Sequence, residues 1–149
     1  MKKKVNQVNI SSDYLYPVFD PTQFPGTVNK MVTKIKSFQK KHKIDAIAFT
    51  GTSGSAVAYP LSYKLKIPLI CIRKEKTNHT HYKYEGRYNA STYIIVDDFI
   101  STGATIKKIK KQVREISRQS KLIGIFLYNA SMFDPGHSYK DFNTTIYCV

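Results

Sequence analysis

A hydrophobic strand that runs straight into two adjacent carboxylates, then a loop of small hydroxylated residues, then an amphipathic helix, leaves few folds open to a chain. Residues 93–105 of this sequence read Y-I-I-V-D-D-F-I-S-T-G-A-T. Tyr93–Val96 is the expected strand, Asp97 and Asp98 the acidic pair, and Ser101-Thr102-Gly103-Ala104-Thr105 the loop. A helix is expected from about Thr105 to Ser117, because Ile106, Ile109, Val113 and Ile116 step by three and four. Such a loop offers hydroxyls, backbone N–H groups and a helix N-terminus to an anion. The paired carboxylates can grip vicinal hydroxyls or a divalent metal. An isolated Asp pair more often marks a solvated turn, and T-G-A-T alone more often a helix N-cap. It is the ordered combination that favours a ligand site.

The rest of the chain alternates in the same way. Residues 11–26 are rich in Tyr, Pro and Phe and read as irregular. A helix is expected from Thr27, with Thr27 as N-cap and Val28, Met31, Val32, Ile35 and Phe38 on one face. Ile44 to Phe49 reads as a buried strand, followed by a second small-residue loop, Thr50-Gly51-Thr52-Ser53-Gly54. A helix to about Leu65, kinked near Pro60, and a strand from Pro68 to Ile72 come next. Arg73 to Gly86 is polar and reads as a surface loop or loose hairpin. Leu122 to Tyr128 is a further strand, Asp134-Pro135-Gly136 a turn, and Thr145 to Val149 a final strand. Strands alternating with helices predict an α/β single domain with a mainly parallel central sheet flanked by helices. Ligands of such sheets bind at the carboxyl ends of the strands, where both small-residue loops fall. A vicinal diol beside a monophosphate is the chemistry of a ribose 5-phosphate.

The chain has 149 residues, 42% of them hydrophobic, which suits one globular domain. No apolar run reaches membrane-spanning length, and the basic Met1-Lys2-Lys3-Lys4 is not followed by a signal-peptide core. Cys71 and Cys148 sit in strand-like segments and are expected to be reduced and buried. A cytoplasmic location and no membrane partner follow as expectations. Lys and Arg number 24 against 10 Asp and Glu, a net charge of +14. Much of it lies on one helix and its exit, at Lys34, Lys36, Lys40, Lys41 and Lys43, and on the outer face of another, at Lys107, Lys108, Lys110, Lys111 and Arg114. A solvated helix surface is the favoured reading and a nucleic-acid surface the alternative.

The string from Tyr93 to Thr105 resembles the 5-phosphoribosyl-1-pyrophosphate (PRPP) motif of the type I phosphoribosyltransferases. The upstream string Ile47-Ala48-Phe49-Thr50-Gly51-Thr52-Ser53-Gly54, with Ile67-Pro68 and Ile72-Arg73-Lys74 beyond it, is similar to the pyrophosphate loop of that family, its helix and its next strand. The resemblance spans roughly residues 44–128, and it implies a core of about 27–128 beneath a small variable hood built from 1–26, 129–143 or both. It implies Mg²⁺-dependent transfer of phosphoribose from PRPP to a nitrogenous base, with release of pyrophosphate, by a homodimer. Asp97 and Asp98 would bind the ribose hydroxyls and hold the metal through water. Ser101, Thr102, Gly103, Ala104 and Thr105 would cradle the 5-phosphate. Thr50, Gly51, Thr52, Ser53, Gly54, Arg73, Lys74 and Lys76 would hold the pyrophosphate. Asp97, Asp98, Arg73 and His79 form the expected catalytic set.

The segment Arg73-Lys74-Glu75 with Lys76 and His79 resembles the mobile loop of orotate phosphoribosyltransferases, and His79 could protonate or neutralise the departing pyrophosphate. Thr77 stands where that loop carries a second Lys, and Thr80-His81-Tyr82 replaces its glycines, so the resemblance does not assign the base. Lys83, like His81, reads as a polar side chain that faces solvent. Aromatics of the hood, Tyr14, Tyr16, Phe19, Phe24 and Phe133, could stack on a base but are more often packing. A non-catalytic PRPP or nucleotide sensor that binds nucleic acid through its basic faces is the competing reading. No P-loop string G-x-x-x-x-G-K-[ST] occurs.

Overall fold

The computed structural model describes residues 9–12, 14–74, 82–129 and 142–149. Six strands form one sheet, β1 (Ala46–Thr50), β2 (Leu69–Ile72), β3 (Tyr84–Gly86), β4 (Thr92–Asp97), β5 (Lys121–Leu127) and β6 (Ile146–Cys148), in the spatial order β3-β2-β1-β4-β5-β6. All pairings are parallel except that of β3 with β2. The polar stretch after β2 therefore does return as a hairpin at the sheet edge. Four helices accompany the sheet, α1 (Tyr16–Phe19), α2 (Phe24–Gln39), α3 (Gly51–Leu65) and α4 (Ala104–Ile116).

The central strands β1, β4 and β5 are buried on both faces, and their side chains alternate between two cores. Ile47 and Phe49 of β1, Ile94 and Val96 of β4, and Phe126 of β5 pack under α2 and α3 through Met31, Ile35, Val57 and Leu61. Their sequence neighbours Ala46, Ala48, Tyr93, Ile95, Ile125 and Leu127 face the other way, against Ile106, Ile109 and Val113 of α4. The crossover β1-α3-β2 moves toward one sheet edge and β4-α4-β5 toward the other. Right-handed crossovers in opposite directions must put their helices on opposite faces, as observed.

Two boundaries differ from the sequence reading. α2 begins at Phe24, not after Thr27, because Pro25 fits a first helical turn, where its absent N–H is not missed. Thr27 is inside the helix, and its hydroxyl bonds back to the Gln23 and Pro17 carbonyls. The turn before it is organised by Asp20, whose carboxylate accepts from the Thr22 amide and hydroxyl at 2.8 and 2.7 Å. Residues 16–19, expected to be irregular, form the short α1. α3 continues through Pro60 to Leu65. Cys148 is exposed and Cys71 half-buried, not the buried pair expected, since Cys148 closes a strand at the sheet edge. No helix among the described residues is long and apolar enough to cross a membrane.

Two devices align the strands that carry the loops. At the amino ends of β1 and β4, the buried Asp45 carboxylate accepts from the Ser91 and Thr92 amides, each at 3.1 Å, and pairs with Lys43 at 3.1 Å. This fixes the register Ala46↔Tyr93, Ile47↔Ile94, Ala48↔Ile95, which continued upward sets Thr50 level with Asp97. At the other end, α4 is entered through Gly103 at φ +78°, and a Cβ there would lie 2.6 Å from Phe142 Cζ.

Asp45→Ala should leave two part-buried amides without their carboxylate acceptor and destabilise the fold by about 1 kcal/mol at neutral pH. Burial pushes the Asp45 pKa up, but hydrogen bonds and charge from Lys43, Thr92 and Ser91 outweigh it and hold the group below the usual carboxylate range. The stabilisation is therefore present above the unfolded carboxylate pKa and lost as pH falls through the lower folded value, so denaturation midpoints of wild type and variant should converge in acid. Gly103→Ala should cost on the order of 1–3 kcal/mol from backbone strain alone, read from a urea midpoint.

Candidate functional site

β1 and β4 are adjacent, yet the chain leaves them in opposite directions. The sheet therefore opens a crevice at their carboxyl ends, the switch point at which ligands of this architecture bind. A cavity of about 280 Å³ fills it, lined by Thr50 and Ser53 from the β1–α3 junction, Lys74 after β2, residues 97–106 and Tyr14. The two small-residue loops, far apart in sequence, are one site.

The acidic pair is its floor. Asp97 and Asp98 are each only 5% exposed. Asp97 Oδ1 accepts from Ser53 Oγ at 2.7 Å and from the Asp98 amide at 3.0 Å, and Asp98 Oδ1 accepts from the Phe99 amide at 2.8 Å. Ser53 lies in the first turn of α3, so this bond joins the two loops directly. Burial pushes the Asp97 pKa up to about 7; the Ser53 bond pulls against it, and the neighbouring Asp98 charge adds to the rise. Asp97 is thus a carboxylate short of compensating charge, as expected of a group that awaits a cation or hydroxyl donors.

The loop after the pair turns at Ser101–Gly103 into α4, and the Ala104 amide donates to Thr102 Oγ1 at 3.3 Å. The first-turn amides of a helix lack intrahelical acceptors, so α4 presents donors and a positive dipole end beside the loop hydroxyls. Across the crevice, Thr50 Oγ1 donates to the Ile72 carbonyl at 2.6 Å, locking β1 to β2 where the second loop starts. Gly51 has φ +65°, and a Cβ there would lie 2.6 Å from Lys74 Cε and 2.9 Å from Nζ. The Lys74 ammonium thus lies over the first turn of α3.

Of the residues singled out in the sequence, Thr50, Ser53, Lys74, Asp97, Asp98 and 101–105 line the cavity. Gly51, Thr52 and Gly54 shape the α3 turn without lining it. Arg73 does not reach the cavity. Its Nε donates to Glu85 Oε1 of β3 at 2.9 Å, and its Nη2 pairs with the same oxygen. Lys76, His79 and His81 lie outside the described residues, whereas Lys83 lies at the sheet edge, where its carbonyl accepts from the Arg73 amide at 2.9 Å.

Sequence reasoning missed Tyr128, whose hydroxyl donates to the Ser53 carbonyl at 2.9 Å beneath the acidic pair. Burial raises its pKa, and the Asp98 and Asp97 charges raise it further. No local motif marks it; only its place at the end of β5, beside β4, could have. Tyr14 lines the cavity with its ring edge-on to Phe99 at 5.7 Å, and its carbonyl accepts from Asn129 Nδ2 at 2.8 Å. It had been noted only as one aromatic of the hood.

Known proteins share both the sequence pattern and the fold. The adenine phosphoribosyltransferase of Ureaplasma parvum is 33% identical over 107 residues, 61% of this chain and 62% of that protein. That of Borreliella burgdorferi is 30% identical over 99 residues, 56% of each chain. A hypoxanthine/guanine phosphoribosyltransferase of Methanosarcina barkeri is 30% identical over 119 residues, 69% of this chain and 63% of that protein. The chain thus spans somewhat over half the length of these curated relatives. Among solved structures, the Saccharomyces cerevisiae adenine phosphoribosyltransferase superposes with a TM-score of 0.64 at 19% identity, covering 97% of this chain and 89% of that one. The Francisella tularensis orotate phosphoribosyltransferase gives 0.65 at 16% identity, covering 88% and 67%. These likenesses show the fold. The PRTase-CE family model matches residues 6–144, and the chain belongs to that family and with it to the type I phosphoribosyltransferases.

Proposed function

We propose that this protein transfers the 5-phosphoribosyl group of PRPP to a nitrogenous base and releases pyrophosphate. The observation that carries this reading is the Ser53–Asp97 hydrogen bond, which makes a diol-binding carboxylate pair and two anion-binding helix ends into one cavity. Asp97 and Asp98 accept hydrogen bonds from the ribose hydroxyls. The loop 101–105 and the first turn of α4 hold the 5-phosphate. Lys74, over the first turn of α3, faces the pyrophosphate and stabilises the charge that grows there as the bond to the anomeric carbon lengthens. Catalysis is then mainly positioning and leaving-group electrostatics.

The donor set fits Mg²⁺ of one kind only. No cluster of three or more His, Cys, Asp or Glu occurs among the described residues, so there is no all-protein cage, but two carboxylates beside a phosphate-bearing substrate suit an ion that keeps several waters. Asp97 and Asp98 would hold it, and when bound it would neutralise pyrophosphate charge. The relatives named for adenine, hypoxanthine and guanine make purines the first acceptors to test. The Arg73–Glu85 pair favours a second reading, a non-catalytic PRPP or nucleotide sensor, because it withdraws one expected pyrophosphate ligand.

Pyrophosphate release from PRPP and Mg²⁺ across adenine, hypoxanthine, guanine and orotate separates the two. One base should support turnover, and Lys74→Ala should lower it about 10²-fold, the scale for loss of one charge-stabilising donor. PRPP that raises the melting temperature without any base-dependent release would establish the sensor reading instead.

Asp97→Asn gives a ligand-free test of the buried carboxylate. Asn Oδ1 can keep the bonds from Ser53 and the Asp98 amide but carries no charge. Because the folded pKa lies above the unfolded one, the wild type loses stability as pH rises from the unfolded value toward about 7. The variant should match wild type in acid and melt roughly 5 °C higher at alkaline pH, while losing the PRPP-induced shift. A variant less stable at every pH would show that the carboxylate is a structural partner rather than a strained site group.

A further inference from the structure

A second concavity lies away from the crevice, on the outer side of α4. It encloses about 1040 Å³, and its rim carries Lys107, Lys110, Lys111, Arg114, Arg118 and Lys121, with Glu115 as the one carboxylate among the described lining residues. Four of these cations recur on one helical stripe of α4. Arg118 comes from the turn after the helix and Lys121 from the start of β5, so three separate elements direct positive charge into one groove. Lys111, Arg114, Arg118 and Lys121 are exposed and make no ion pair among the described residues. Lys110 is anchored into the wall by a 3.1 Å bond to the Phe142 carbonyl. Tyr93, Leu122 and Phe142 form a floor already buried against the core. Arg114 stands close enough to that floor to act on the Tyr93 phenol, which burial pushes up to about 12 and the guanidinium pulls back.

Like charges gathered this way repel unless a polyanion replaces their counterions. Among the described residues, the aromatic and apolar side chains of the floor are buried and present no open face to a base or a membrane. What the groove presents is a row of ammonium groups and guanidinium forks, the donors that match phosphate oxygens. We propose that the α4 groove binds the phosphate backbone of a nucleic-acid strand without regard to sequence. The proposal stands independently of the phosphoribosyl reading, since the groove uses the outer stripe of α4 and the crevice its N-terminus.

The test is fluorescence anisotropy with labelled 20-nucleotide single-stranded DNA, the matching RNA and a 20-base-pair DNA duplex. Titrations with wild-type protein run over a series of salt concentrations. Four or five phosphate contacts on a single strand predict a slope of log K on log[salt] of roughly −3 to −3.5. Lys111→Glu/Arg114→Glu/Arg118→Glu should weaken binding at least ~100-fold, in line with the loss of three phosphate contacts. Lys34→Glu/Lys36→Glu/Lys40→Glu on α2 makes the same change in net charge and should cost only a few-fold. The milder Arg114→Ala/Arg118→Ala, with an unchanged melting curve, guards against a folding defect in the first triple. The strand and duplex arms identify which form supplies the backbone. Equal losses in the two triples, a slope near zero, or equally tight binding of a 20-residue polyglutamate would each overturn the proposal, the last in favour of an acidic protein partner.

Discussion

The parallel pairing of β1 with β4 is the constraint on which the rest of the molecule depends. Because the chain leaves these adjacent strands toward opposite sheet edges, α3 and α4 lie on opposite faces, and both helices start at one crevice. Two positive helix ends then face a common cavity, and two acids occupy its floor. The same strand pair carries a buried acid at each end, and the two behave in opposite ways. Asp45 has Lys43 and two amides for partners and ionises readily. Asp97 has one amide, one hydroxyl and a second carboxylate beside it, and resists ionisation. One acid is complete within the fold; the other is left for something outside it.

Much of this was legible in the sequence because the signals were periodic or local. The apolar runs of β1 and β4 and the three-and-four spacing in α4 located those elements to within a residue or two. The acid pair and the two small-residue loops announced a ligand site through their order along the chain. What was not legible depended on contacts between distant segments. Tyr128 reaches Ser53 only because β5 lies beside β4. Arg73 turns to Glu85 only because β3 folds back on β2 with Cys71 opposite Glu85. The α2 start was misplaced because a plausible cap at Thr27 outweighed Pro25, which the first turn accommodates. The exposure of Cys148 follows from its place in an edge strand, which no local pattern records.

Charge is distributed less evenly than the total suggests. Of the 10 acidic residues, Asp20, Asp45, Asp97 and Asp98 are buried, so the surface is more cationic than a net charge of +14 implies. Sequence reading assigned the lysines of α2 and α4 to the same solvated background. The structure separates them, since only the α4 set is joined by Arg118 and Lys121 around a concave surface. The same helix therefore presents amide donors at its start and a row of cations along its flank. Lys108 Nζ, donating to the Lys74 carbonyl at 2.9 Å, ties that flank to the segment that overhangs the crevice.

The seat of Phe142 against Gly103 bears on how the protein is made. The loop 101–103 and α4 emerge from the ribosome well before the residue whose ring closes over them. Until that ring arrives, Gly103 has open space on the side where the folded protein has an aromatic wall, and the core beneath α4 lacks one of its buried members. A nascent chain can pair β1, β2 and β4 and still lack the wall that shapes the turn at Gly103. That turn reaches its folded surroundings only when a residue far along the chain packs against it.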